Sequence, residues 1–162
     1  MSYLKRITSK EAKVKKSLEK RRFSTKQTYV IIRKKGGATM RLTRKEEITK
    51  PFLNSTGERV YEMLGEPEHI GGAKHHSFSH VVIPAHCHSR PHYHPIAEET
   101  YYILAGEGRM VVDGREMRLR PGDALLIQPP EVHQIFNDGE TDLEFIAVCA
   151  PAWRQDNSVY LD

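Results

Sequence analysis

From about residue 58 onward, apolar residues come in short alternating or continuous runs, broken at close intervals by Gly, Pro and Asp. Runs of four to eight residues with that punctuation predict strands near 59–64, 76–83, 98–105, 108–113, 115–120, 124–128, 133–137 and 143–149. Val112-Asp113-Gly114-Arg115 carries the Asp-Gly signal of a two-residue hairpin, and Pro121-Gly122-Asp123 marks another turn. No stretch beyond residue 58 holds a helical period, so the pattern predicts an all-β barrel or sandwich.

The first 57 residues read differently. Thr8 followed three residues later by Glu11 is a capping-box pattern, and residues 10–20 are mostly helix formers, with a thin apolar stripe at Ile7, Val14 and Leu18. Thr28–Arg33 reads as a strand, 34–37 as a turn and Thr39–Leu42 as a return strand, which we expect to add to a sheet rather than form a second domain. The expected division is therefore a basic N-terminal extension over 1–57 and a β-domain over 58–162.

Charge sharpens that division. Residues 1–50 hold 17 Lys and Arg against 4 Asp and Glu, whereas 51–162 hold 8 against 17, within a total formal charge of +4. A basic arm thus joins an acidic body. Clustered Lys and Arg suit phosphates, but one weak helix and a hairpin lack the spaced helices of a helix-turn-helix module, and we expect no nucleic-acid partner. The start lacks the apolar run of a secretory signal, no stretch reaches membrane-spanning length, and two cysteines are too few for a disulfide framework. These features predict a cytoplasmic protein with no membrane association.

Chemistry concentrates in residues 89–108. Side chains two apart on a strand share a face, so His92 and His94 point together and Tyr93 opposite. If Glu99 points inward, so do Tyr101, Ile103 and Ala105; on a later strand His133 shares its face with Ile135 and Asn137. Three imidazoles and a carboxylate converging from separate strands suit one divalent transition metal (Fe, Mn, Zn, Ni, Co or Cu), with positions left for water or substrate.

The stretch resembles the first motif of the cupin superfamily, G(X)5HXH(X)3–4E(X)6G, through His92, His94, Glu99 and Gly106. The second motif, G(X)5PXG(X)2H(X)3N, is matched by Gly122, Pro129, His133 and Asn137. The resemblance covers about residues 58–150 and implies a double-stranded β-helix, or jelly-roll, barrel with His92, His94, Glu99 and His133 as metal ligands. Glu99 rather than Glu98 keeps the six-residue spacing to Gly106, and Glu98 is expected to face outward. The chain departs from the motifs where His86 and Pro130 replace glycines and where Pro129 sits one residue late, departures that touch turns rather than ligands.

Other residues carry two readings. Arg90 shares parity with His92 and can hold a substrate carboxylate or phosphate, or simply lie on the surface. Tyr101 is either a proton-carrying donor or barrel packing. Asn137 is expected to secure a strand end. His86, Cys87 and His88 are either a second metal site or loop residues at the barrel mouth, the latter being favoured; Cys149 reads as a buried, inert strand residue. The resemblance is similar to dioxygenases, isomerases and lyases alike, so the expected function is a mononuclear metal enzyme acting on a small oxygenated molecule; the alternative is a metabolite-binding sensor without turnover. A homodimer is expected, with Val30–Ile32 as a strand for exchange.

Overall fold

The computed structural model describes residues 30–33, 39–67 and 70–161. The helix expected near 10–20 and the turn at 34–37 lie outside the described residues. Thirteen strands are described: β1 (Val30–Arg33), β2 (Thr39–Leu42), β3 (Phe52–Leu53), β4 (Arg59–Leu64), β5 (Ser77–Ile83), β6 (His92–Tyr93), β7 (Glu98–Ala105), β8 (Gly108–Val112), β9 (Arg115–Leu119), β10 (Ala124–Ile127), β11 (His133–Phe136), β12 (Leu143–Ala150) and β13 (Val159–Tyr160). Every strand expected from the sequence beyond residue 58 is present within a residue or so of its expected ends. The two-residue strands β3 and β13 are too short to show a period and were not anticipated, while β6 falls where strand parity was read for His92 and His94.

The strands build a six-stranded sheet in the order β10-β7-β12-β5-β4-β3 and a five-stranded sheet in the order β13-β6-β11-β8-β9, each antiparallel throughout. The hairpin β1-β2 forms a sheet of its own and continues neither of these, unlike the expectation that it would extend one. The larger sheet also begins at Phe52, ahead of the boundary expected at 58. Lys45, just before it, reaches His80 and Glu144 on that sheet.

Alternation explains how the two sheets close on one another. Along β12, Leu143, Phe145, Ala147 and Cys149 are buried while the residues between them are partly exposed. With Val81 and Ile83 of β5, Ile103 of β7, Met110 of β8 and Ile135 of β11, the residues Leu143, Phe145 and Ala147 fill the space between the sheets. Phe145 and Ile135 are fully buried, and truncating Phe145 to Ala would cost about 3–5 kcal/mol.

Turns set the ends. Asp113 and Gly114 both take positive φ, 47° and 76°, as a two-residue hairpin between β8 and β9 requires. Gly106 also lies at positive φ, 74°, and a Cβ there would sit 2.6 Å from the Asp142 carbonyl oxygen. Asn137 does secure a strand end: its Nδ2 donates to the carbonyls of Ile83 and Thr141, and its Oδ1 accepts from Gly139 N. One inward expectation is corrected. Ala105 is exposed, because an irregularity in the β7–β12 pairing between Glu144 and Phe145 shifts the register after Ile103.

Candidate metal centre

The two sheets contribute unequally to one end of the barrel. His92 on β6 pairs directly with His133 on β11, His94 follows β6 by one residue, and Glu99 faces them from β7 across the core. All four are buried, Glu99 5% and His133 1% exposed. One ligand atom from each lies within 4.8 Å of the others. Donors about 2.1 Å from a shared ion stand about 3–4 Å apart, so this set matches a first-row metal with small adjustment. Glu98 is exposed, as expected.

The outer nitrogens decide what the inner ones can do. His92 Nδ1 lies 2.8 Å from the Arg90 carbonyl, His133 Nδ1 3.0 Å from the Glu131 carbonyl, and His94 Nδ1 3.1 Å from the Asn157 carbonyl. A carbonyl oxygen only accepts, so each Nδ1 carries a proton, and each ring turns its Nε2 inward, where it can donate to Glu99 when protonated or offer a lone pair to a metal when not. Those Nε2 atoms stand 2.9 Å (His133), 3.2 Å (His94) and 3.9 Å (His92) from Glu99 Oε2. Lone pairs aimed at a carboxylate repel unless a cation, a proton or a metal ion, lies between them. The donor set therefore fits a divalent metal.

Without an ion between them, the four groups interact strongly with one another. Burial and the neighbouring His133 push His92 down to about 4, so that it is neutral near pH 7. For His94, burial acts downward but the hydrogen bond and charge of Glu99 outweigh it and raise the net value. Burial would raise Glu99, yet hydrogen bonds to His133 and His94 hold the carboxyl well below its usual range.

A cavity of about 300 Å³ opens onto His92, His94 and Glu99. Its wall follows strand parity: Glu58, Val60 and Glu62 at β4, Ser77, Ser79 and Val81 on β5, Tyr101 on β7, Ala147 and Cys149 on β12. Tyr101 is buried with its ring nearly perpendicular to that of His133, and burial with the Glu99 charge holds its phenol protonated. Arg90 is not part of this wall; its guanidinium lies over the Tyr160 ring at 4.7 Å, and Tyr160 in turn stacks on His92.

Three wall residues escaped the sequence reading. Cys149 is buried as expected, but its thiol donates to Glu99 Oε1 at 3.3 Å, and burial and that carboxylate drive its pKa far upward. Tyr160 lies on an unanticipated strand. Glu58 accepts a 2.8 Å hydrogen bond from Asn54 Nδ2; burial and then the Glu99 charge push it up to about 7. Its signal was available, since it shares parity with Val60 and Glu62. The loop histidines stay apart: His86 pairs with Glu140 on the surface, and His88 packs on Phe136 and bonds to the Ser89 carbonyl. Among the described residues only the expected four cluster with metal-ligand spacing.

Comparison with known proteins agrees. The Cupin domain family model matches residues 79–149. A curated uncharacterised protein of Methanocaldococcus jannaschii is 29% identical over 125 residues, covering 76% of this chain and 98% of that protein. An oxalate-binding protein of Thermotoga maritima is 38% identical over 71 residues, 44% of this chain and 59% of that protein, so the chain spans little more than half of that relative. A crystal structure from Thermotoga maritima, described as a predicted oxalate decarboxylase, superposes with a TM-score of 0.58 at 32% identity, covering 67% of this chain and 96% of that one. With the residues of both motifs brought together at one end of the barrel and that structure matched along nearly its whole length, the chain belongs to the cupin superfamily.

Proposed function

We propose that this protein is a mononuclear metal enzyme acting on a small oxygenated organic molecule, of the dioxygenase or isomerase and lyase type. The observation that supports this reading best is the set of three inward Nε2 atoms, fixed by Nδ1 hydrogen bonds to carbonyls, facing one carboxylate at the end of a cavity of about 300 Å³. Cavities of this size hold small ligands. His92, His94, Glu99 and His133 would hold the metal, which when bound supplies Lewis acidity toward a substrate oxygen, or redox chemistry if it is iron or copper.

The chain's own residues would do the rest. Cys149 holds Glu99 Oε1 by its thiol proton while Oε2 faces the imidazoles. Tyr101, kept protonated, serves as a hydrogen-bond donor at the cavity wall. Phe52, Val60, Val81 and Trp153 shelter a substrate from water. Arg90, behind Tyr160, acts on that ring rather than on a substrate anion.

Elemental analysis of untagged protein, wild type against His94→Ala, tests the reading. About one equivalent of metal in the wild type, absent from the variant, is the expected result; a wild type that takes up none after incubation with Fe(II), Mn(II), Ni(II) and Zn(II) refutes it. Metal identity then directs the assay, oxygen consumption for iron or copper and isomerase or lyase substrates for manganese or zinc. The second reading, a metabolite sensor, is favoured by the basic arm of residues 1–50; salt-sensitive DNA binding without turnover would select it. We also infer a homodimer, supported by the exposed Tyr102, Leu104 and Leu126 on β7 and the edge strand β10. A monomer at micromolar concentration in sedimentation equilibrium would refute that.

A further inference from the structure

The turn leading into β4 is built to hold a carboxylate in the cavity. Asn54, buried, receives Thr56 N and Thr56 Oγ1 on its Oδ1 and Gly57 N on its carbonyl, and it donates through Nδ2 to Glu58 Oε2 at 2.8 Å. Thr56 Oγ1 also lies within hydrogen-bond distance of the His88 carbonyl, so its single proton is shared between that oxygen and Asn54 Oδ1 and ties the turn to the loop before β6. Gly57 sits at φ +94°, where a Cβ would meet Cys87 Sγ at 2.6 Å, so the backbone beside Glu58 has little room to move. Glu58 thus projects from a fixed turn into the same cavity as Glu99, with the neutral Asn54 as its hydrogen-bond partner.

The rest of the wall decides what such a carboxylate selects. None of the described residues lining the cavity is Lys or Arg, and Phe52, Val60, Val81, Trp153 and Tyr160 give it an apolar body. A small dianion entering here would meet two carboxylates, Glu58 and Glu99, and no cationic side chain; even a bound divalent ion would only balance those two charges and leave no net positive charge to attract the dianion. An uncharged molecule with an apolar frame would instead bury that frame and offer a hydroxyl proton to Glu58. Resting on the cavity being the binding site proposed above, we infer that Glu58 is a specificity-determining residue: it accepts a hydrogen bond from a hydroxyl of an uncharged ligand and keeps small dicarboxylates out. This separates the chain from the Thermotoga maritima relative described as oxalate-binding.

Two probes with the same vicinal oxygen pair and different charge test it at pH 8, above the value of about 7 to which Glu58 is pushed: catechol, uncharged in solution there, and oxalate, a dianion. Calorimetric titrations are run on Zn(II)-loaded and metal-free protein, with the fluorescence of Trp153, the chain's single tryptophan and a cavity residue, reporting occupancy. The expected result is catechol binding at least tenfold tighter than oxalate in the wild type, with Glu58→Gln narrowing that ratio by about tenfold, mainly through tighter oxalate. Oxalate binding as tightly as catechol in the wild type overturns the inference without any variant, and so does an unchanged ratio in a folded Glu58→Gln protein. Metal content, measured on every sample after titration, separates these results from failure of the metal site: protein that retains no zinc after zinc loading but still shows the ratio sustains Glu58's role while refuting the metal enzyme.

Discussion

Replacing Glu58 by Gln should stabilise the metal-free protein at high pH and leave it unchanged at low pH. The carboxyl titrates near the ordinary 4.5 when unfolded and at about 7 when folded, because burial and then the Glu99 charge disfavour its ionised form. Between those values the folded state binds more protons than the unfolded state, so stability falls as pH rises through that window. The span corresponds to at most about 3 kcal/mol at 1.36 kcal/mol per pKa unit. Glu58 is partly exposed to the cavity, and solvent screening reduces the expected effect to about 1–2 kcal/mol. Gln keeps an oxygen for the Asn54 bond but has no charge to bury. Urea unfolding in chelator, followed by Trp153 fluorescence, should show the variant ahead by about 1–2 kcal/mol at pH 8.5 and level with wild type at pH 4.5. A variant equally destabilised at both pH values would show that Glu58 holds the turn together rather than carrying an ionisation penalty, and would refute the reasoning. Gain in stability together with loss of ligand discrimination is the expected signature of a residue kept for function.

Further substitutions examine the frame. Gly106→Ala meets both positive φ and backbone atoms, with Cβ 2.9 Å from Leu143 Cα, and should cost about 2–4 kcal/mol in urea unfolding. Gly114→Ala, also at positive φ but with open space around it, should cost only about 1 kcal/mol; equal losses would argue against the close β7–β12 approach. His86→Gly should gain up to about 1 kcal/mol, since His86 holds φ 60° and its surface pair with Glu140 contributes little; a loss in thermal unfolding would show that this pair matters. Iodoacetamide should label the partly exposed Cys87 well before Cys149, whose buried thiol is held protonated; peptide mass spectrometry showing comparable rates would contradict the Cys149–Glu99 contact.

The candidate ligands were legible because such a cluster compresses its chemistry into one local pattern. His92, His94 and Glu99 lie within eight residues, and strand parity alone brings the two imidazoles to one side. Longer strands were legible for the same reason: alternation in Leu143–Ala150 or Glu98–Ala105 repeats often enough to be seen. What stayed hidden depends on contacts between distant segments. Cys149 reads as an ordinary core residue until β12 is laid beside β7, where it pairs with Glu99 in register. Tyr160 sits on a two-residue strand defined only by its partner β6. The outward turn of Ala105 comes from a pairing irregularity that the alternation on its own strand contradicts. His86 lies between these cases, for the sequence marked it as standing where the family has glycine, and the structure shows the left-handed backbone that explains the preference.

The division of ligands between the sheets has a thermodynamic consequence. All three imidazoles belong to the five-stranded side and the only carboxylate to the six-stranded side. An ion held by both acts as a rivet across the barrel, and its binding energy becomes resistance to the sheets parting. At free metal a thousandfold above Kd such a link adds about 4 kcal/mol to stability, comparable to the whole reserve of a marginal domain. The persistence of the folded chain would then follow metal supply, and a cell short of the ion would lose the protein itself.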